Sequence, residues 1–165
     1  MSSWLSARKI SLREIKNTIM EKRVHHPSAN ITMRLIKSED LNHHGTLFAG
    51  RTAEWFVESG FIAASALLEP KNVVCLKIHG MYFTSPAHPG EVLKFDSRIV
   101  YAGKSSLIAY IKVTKAGYEK ALVDGFVTFI HVNADTHPTP HNIEVQAVTE
   151  EDRKLMEAAI ALKNK

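Results

Sequence analysis

The stretch from Leu41 to Gly60, LNHHGTLFAGRTAEWFVESG, contains the residues best suited to chemistry. A polar turn with a glycine leads directly into a helical pattern that carries Glu54 and Glu58. A positioned carboxylate can act as a general base, whereas an acid with a purely structural role on a buried helix must be paired with a cation or protonated. Both interpretations stay open for each glutamate.

The turn itself offers Asn42, His43 and His44. A histidine can act as a base near neutral pH, although a histidine in a loop more often faces solvent. An asparagine beside a glycine commonly caps the local backbone. Cys75, the single cysteine, has no adjacent base to activate it, so a small core residue in a strand is the favoured interpretation.

Composition argues against several other classes of protein. The chain has 165 residues, 45% of them hydrophobic, as in one globular domain. Its net charge is +4, but the basic residues are scattered, which argues against nucleic-acid binding. We expect no membrane insertion, because the sequence has no long apolar run. We expect a cytoplasmic location, because a single cysteine cannot form an intramolecular disulfide. None of the nine histidines has a partner at ligand spacing on a helix, so no metal is expected.

Hydrophobic periodicity predicts the elements that position these residues. Ser11 to Glu14 match a capping box, and helical spacing continues to about Lys22. A helix that is apolar nearly all the way round follows from about Leu47 to Leu68. Thr149 to Asp152 cap an amphipathic helix that runs to Lys163. Strand patterns cover five stretches: Ile31 to Leu35, Val73 to Phe83, Glu91 to Tyr101, Ser106 to Val113 and Ala121 to Val132.

The order of these elements predicts an α+β fold with an antiparallel sheet, because the connections between successive strands are short. We expect a single domain over residues 1–165, with an N-terminal helical extension (1–27), a core (28–140) and a C-terminal helix (141–165). A helix that is apolar on every side needs more cover than one sheet provides. The pattern therefore predicts a homo-oligomer of at least two copies.

Three stretches together resemble the hotdog-fold acyl-CoA thioesterases, in particular the bacterial acyl-CoA hydrolases. The family's N-x-x-G-x-hydrophobic-x-G-G motif before the helix is matched by Asn42, Gly45, Leu47, Phe48 and Gly50, with Ala49 in place of the first paired glycine. The segment MYFTSPAHPGEVLKF, Met81 to Phe95, is similar to the family's aromatic, proline and Gly-acid turn. The segment AGKSSLIAYIKV, Ala102 to Val113, resembles its Gly-x-x-Ser strand start.

The resemblance implies a hotdog fold, in which an antiparallel β-sheet wraps around one long central helix, with additional N- and C-terminal helices here. It also implies dimers that pair their sheets edge to edge, and a further assembly into a trimer of dimers, a hexamer. The implied activity is hydrolysis of an acyl-CoA thioester to a free carboxylic acid and CoA. Coenzyme A would enter as part of the substrate, and no other cofactor is expected.

The same resemblance assigns roles to individual residues. Asn42 would orient the water or the thioester carbonyl, and backbone N–H groups around Gly50 would form the oxyanion site at the helix start. Arg51, also at the helix start, could face a phosphate, although the resemblance assigns it no role. The turn that would hold CoA consists of Gly103, Lys104, Ser105 and Ser106. The walls of the acyl pocket would be Phe48, Trp55, Phe61 and Met81.

The catalytic acid departs from the family pattern. Counted from Asn42 and Gly50, its position falls on Val57, which cannot transfer a proton. Glu58 follows immediately, in the family-like run ESG, but one helical step rotates a side chain by about 100°. Glu54 lies three residues before Val57, within about 60° of the same face. Either a displaced glutamate is the base, or the protein is a non-catalytic acyl-CoA binding module that lost its acid at Val57.

Overall fold

The computed structural model describes residues 21–163. In this part of the chain, seven strands and two α-helices alternate with short turns. The strands are β1 (Arg23–His25), β2 (Asn30–Leu35), β3 (Val73–Ile78), β4 (Val92–Ala102), β5 (Ser106–Lys115), β6 (Ala121–His131) and β7 (Ile143–Val145). The helices are α1 (Ala49–Ser65) and α2 (Glu150–Lys163), and single 3-10 turns span Ser38–Asp40 and Pro70–Asn72.

Five strands form one antiparallel sheet in the order β2-β4-β5-β6-β3. Phe95, near the middle of the sheet, lies opposite Thr32 of β2 and Val113 of β5. The short strands β1 and β7 pair separately and in parallel, with Arg23 opposite Ile143. The predicted α+β layout with an antiparallel sheet is confirmed.

Helix α1 packs across the inner face of this sheet. Alternate residues of β4 lie under the helix. Leu93, Phe95, Ser97 and Ile99 are fully buried, as expected for a strand with one solvent-exposed face. The buried stripe of α1 recurs at three- and four-residue spacing and consists of Thr52, Trp55, Phe56, Ser59, Gly60, Ala63 and Ala64. Burial of the large members of both sets against each other forms the core.

The opposite stripe of α1 is exposed and consists of Gly50, Glu54, Glu58 and Ile62. The prediction of a helix apolar nearly all the way round is therefore wrong. The two glutamates share one face with Ile62, which is 39% exposed. A second copy is not required by burial of this helix alone, and any oligomer must accommodate charge on this face.

Both edge strands expose apolar side chains. On β2, Ile31, Met33 and Leu35 are 48%, 49% and 53% exposed, because the alternate side chains, Thr32 and Arg34, are the ones that face α1.

The strand predicted to run to Phe83 ends at Ile78, since Gly80 takes a φ of 94° that interrupts an extended chain.

The segment after β3 remains tied to β6. The backbone N–H of His79 donates to the Phe126 carbonyl (2.9 Å), and that of Thr84 donates to the Leu122 carbonyl (2.9 Å). Between these two bonds the chain passes directly over Gly125. A Cβ atom at Gly125 would lie 2.7 Å from the Gly80 carbonyl oxygen, so this glycine is required by a close backbone approach.

We expect Gly125→Ala to destabilise the protein by roughly 1–3 kcal/mol, because the methyl group would push a backbone carbonyl and not a movable side chain. Denaturant unfolding of the variant and the wild type gives this difference. Gly103→Ala is the matched control, since its Cβ would meet only the Ser106 hydroxyl, which can rotate away. Equal stability of the two variants would contradict the assignment.

Helix α2 packs on the outer face of the sheet, where Ala159 and Leu155 contact Val100 and Ile108. Its predicted cap is present: Asp152 N–H donates to Thr149 Oγ1 (3.0 Å), and Thr149 N–H donates to Asp152 Oδ2 (2.9 Å).

The ends of the domain carry strands as well as helices. The helix predicted from Ser11 to about Lys22 lies outside the described residues apart from its last positions. Residues 23–25, placed in the N-terminal extension, form β1, and residues 143–145, placed in the C-terminal helix, form β7.

Candidate active site

The loop before α1 holds Asn42 in a fixed position. Its backbone forms a tight turn, in which Gly45 has a φ of 74° and the Asn42 N–H donates to the Thr46 carbonyl (2.8 Å). The side-chain oxygen of Asn42 accepts hydrogen bonds from the N–H groups of His44 (2.9 Å) and Thr46 (3.3 Å). The amide nitrogen donates to Thr46 Oγ1 (3.0 Å), which leaves its second hydrogen without a partner among residues 21–163. Asn42 therefore caps the turn and still has one N–H for a ligand.

The first turn of α1 begins without a side-chain cap. Phe48 is the N-cap residue and makes no side-chain hydrogen bond to the helix. The N–H groups of Ala49, Gly50 and Arg51 have no acceptor in the described part of the chain. A Cβ atom at Gly50 would contact the ring of Phe48, an exposed side chain that would have to turn away. Unpaired donors at a helix N-terminus can stabilise a developing oxyanion.

Arg51 joins the Asn42 loop to the helix. Its Nε lies 3.1 Å from Oδ1 of Asp40, a carboxylate that is only 4% exposed. The other Asp40 oxygen accepts the Lys37 N–H (2.9 Å), and the Asp40 carbonyl accepts the Phe48 N–H (2.9 Å). Arg51 thus pairs a buried carboxylate and fixes the loop against α1, a role different from the phosphate contact considered from the sequence.

An inner cavity of about 370 Å³ lies between the first turn of α1 and the sheet. Asn42 forms part of its wall, together with Ala49 and Thr52 of α1. The apolar walls are Leu47, Phe83, Pro86, Ala87, Leu93, Val113, Leu122 and Val123. The cavity wall thus combines Asn42 and the first turn of α1 with apolar side chains, a combination that suits an acyl group and its carbonyl.

The four residues predicted as acyl-pocket walls lie elsewhere. Trp55 is buried in the core, Phe61 and Met81 are half-buried against it, and Phe48 is 54% exposed. The cavity walls come instead from β4, β5 and β6 and from two loop segments, at Leu47 and at residues 83–87. No sequence pattern separates a pocket wall from the rest of a core.

Neither candidate base reaches the inner cavity of its own chain. Glu58 lies 2.5 Å from the Arg34 guanidinium, which in turn lies 5.9 Å from the centre of the Trp55 ring. Glu54 lies 2.8 Å from Arg51. Val57 is half-buried between these two positions. Both acids are therefore paired with arginines, and Glu58 lies about 14 Å along the axis from the start of α1.

The predicted CoA turn lies at the opposite end of the sheet. From Leu93 in the inner cavity to Ala102, before Gly103, β4 extends about 30 Å. The turn is closed by the Gly103 N–H, which donates to the Ser106 carbonyl (2.8 Å). Ser105 and Ser106 border an outer groove of about 290 Å³ that also contains Lys77 and Lys163. Within one chain, the inner cavity and the predicted CoA turn are therefore too far apart to form one compact site.

Other candidate residues have less suitable surroundings. His43 and His44 are exposed and contact each other. Cys75 is exposed on the edge strand β3, so the prediction of a core residue is wrong; partial desolvation raises the pKa of its thiol, which disfavours a nucleophile. Within residues 21–163, no cluster of three His, Cys, Asp or Glu side chains could hold a metal ion. No helix in that range is long and apolar enough to span a bilayer.

Comparison with known proteins agrees with the fold. The model of the thioesterase superfamily matches residues 44–121. An uncharacterized acyl-CoA thioester hydrolase of Bacillus subtilis is 25% identical over 129 residues, which are 76% of this chain and 74% of the relative. The crystal structure of an apo-hexameric acyl-CoA thioesterase has a TM-score of 0.75 at 28% identity, covering 82% of this chain and 88% of its own. The acyl-CoA hydrolase from Bacillus cereus has a TM-score of 0.76 at 23% identity, with 82% and 84% covered.

The match to the thioesterase superfamily covers just under half of the chain. The fold of the described residues is that of the hotdog acyl-CoA thioesterases.

Proposed function

We propose that this protein is a thioester hydrolase that converts acyl-CoA to a free carboxylic acid and CoA. The observation that supports this most directly is the inner cavity, where the free N–H of Asn42 and the uncapped start of α1 adjoin an apolar space. The likeness to a hexameric acyl-CoA thioesterase at 28% identity supports the same activity.

In this proposal the acyl chain occupies the inner cavity, and its carbonyl lies at the start of α1. The Asn42 amide and the free N–H groups of Ala49 and Gly50 donate to the carbonyl oxygen. These donors are fixed before the substrate arrives, because the Asn42 side chain is held by three partners in its own turn. Preorganised donors stabilise the charge that develops on this oxygen when water attacks.

The base comes from a second copy of the chain. Glu58 and Glu54 lie on the exposed stripe of α1, so both side chains, although paired with arginines, are on a face that a second copy can reach. We place the base at Glu58, because its partner Arg34 belongs to β2 and also stacks on Trp55, so the carboxylate is held between two elements. Glu54 pairs with Arg51, three residues earlier on the same helix, and Arg51 also pairs with Asp40. Glu54 is therefore not held between two elements.

A homo-oligomer also unites the two halves of the substrate site. The outer groove with Lys77, Ser105, Ser106 and Lys163 offers cationic and hydroxyl donors for the phosphates of CoA. Because it lies about 30 Å from Leu93 of the same chain, the groove used with a given inner cavity would belong to the other copy. We propose a dimer as the minimal unit, assembled further into a trimer of dimers. The reaction needs no cofactor beyond the coenzyme A of the substrate.

One observation favours a second candidate, an acyl-CoA binding protein without catalysis. Val57 occupies the position of the family's acid, and both nearby glutamates are neutralised by arginines. Such a protein would keep the inner cavity and the outer groove and would lack only a base.

Release of free thiol from short, medium, long and aromatic acyl-CoAs tests the function. We expect turnover of at least one class by the wild type. If no acyl-CoA is hydrolysed while acyl-CoA still raises the melting temperature, the binding protein is the correct assignment. If none is hydrolysed and none stabilises the protein, both assignments fail.

A further inference from the structure

A second cavity, of about 290 Å³, opens beside the inner cavity and shares Ser85 and Leu122 with it. Its other walls are polar and comprise Glu91, Lys115, Tyr118 and Lys120. We name it the distal pocket. Thr84 holds this side of the cavity in place, because its N–H donates to Leu122 and its hydroxyl to Ala121.

The distal pocket has an excess of positive charge. Lys115 lies 2.6 Å from Glu91, and this contact lowers the pKa of the Glu91 carboxyl, so the two charges offset each other. Lys120 makes no ion pair with any residue of the described range. Glu119 belongs to the same turn but is not part of the wall. The ammonium of Lys120 therefore remains available to a ligand.

Hydroxyl donors accompany this charge. Neither the Tyr118 hydroxyl, on a side chain that is 69% exposed, nor the Ser85 hydroxyl makes a hydrogen bond with residues 21–163. An ammonium and two hydroxyl groups on the wall of a cavity that adjoins the apolar inner cavity match a carboxylate, which accepts charge-assisted hydrogen bonds. A plain methyl end would make no hydrogen bond with these groups, which would stay hydrated.

We propose that the distal pocket receives a carboxylate at the far end of the acyl chain, so that the preferred substrates are CoA monothioesters of dicarboxylic acids. This inference rests on the proposed thioesterase function. The acyl chain runs from Asn42, through the inner cavity, to Ser85, and its terminal carboxylate lies beside Lys120. The phosphates of CoA have a separate cationic site in the outer groove.

The test compares straight-chain acyl-CoAs with their ω-carboxylate analogues of the same length. At the length that reaches Lys120, we expect about tenfold higher kcat/KM for the analogue, the effect of one charge-assisted hydrogen bond. Lys120→Met should bring the ratio close to one, and Lys120→Glu should invert it. Added salt should lower the kcat/KM ratio of the ω-carboxylate analogue to the plain acyl-CoA, because ions screen a charge interaction in a pocket that is open to solvent. Lys154→Met on α2 removes an exposed lysine far from both cavities and should leave the ratio unchanged.

Three results would overturn the inference. The first is an equal kcat/KM for both members of every pair, and the second is a preference that survives Lys120→Glu. The third is an equal rise in KM for both members in Lys120→Met that disappears with dephospho-CoA thioesters, since Lys120 would then bind the CoA phosphate. If the wild type hydrolyses no acyl-CoA, the thioesterase assignment fails instead, and a larger thermal shift with the ω-carboxylate thioesters still tests the pocket.

Discussion

Asn42→Ala should lower kcat by about 10²–10³-fold, because removal of one preorganised donor from an oxyanion site has an effect of this size. The substitution removes the N–H that has no partner among residues 21–163, and with it the cap that accepts from His44 and Thr46. Steady-state thiol release gives kcat and KM, and the unfolding temperature reports the loss of the cap.

Asn42→Asp separates these two roles. Its carboxylate can still accept from the His44 and Thr46 N–H groups, so the turn keeps its cap, but it has no amide N–H for a carbonyl. We expect Asn42→Asp to be as inactive as Asn42→Ala and more stable. Wild-type turnover in Asn42→Asp would show that the asparagine serves only the loop.

Glu58→Gln should lower kcat by about 10²–10⁴-fold, the range that a positioned general base contributes. The glutamine has nearly the same shape and can still accept from Arg34, so the fold should be retained. Glu54→Gln is the matched control on the same helix face, with the same loss of charge beside an arginine, and should have a small effect. A larger effect from Glu54→Gln would place the base there, and no effect from either would favour the binding protein.

Mixing the two inactive variants tests whether the site spans two copies. In a heterodimer of Asn42→Ala and Glu58→Gln, one of the two sites contains both an intact Asn42 and an intact Glu58. Random pairing at equal amounts should therefore restore about a quarter of wild-type activity. The absence of any recovery after co-expression would place both residues in one chain and contradict the shared site.

Local patterns predicted the elements well, because each depends on neighbours within a few residues. The inner face of β4 follows from strict alternation, and the start of α2 follows from the spacing of Thr149 and Asp152. The Asn42 turn was likewise readable from Gly45, whose positive φ allows it. Which side chains of β2 and α1 face each other could not be predicted in this way. Arg34 and Glu58 form a pair although they lie 24 positions apart in the sequence.

The sequence by itself determined the antiparallel α+β architecture, the long helix and the turn that presents Asn42, since periodicity and turn chemistry are local. Only the tertiary structure decided which buried residues line the inner cavity, that Arg34 and Arg51 pair with the two glutamates, and that the turn predicted to bind CoA lies at the far end of β4. These features depend on contacts between elements distant in sequence. Such contacts are set by packing of the whole chain, and no local pattern encodes them.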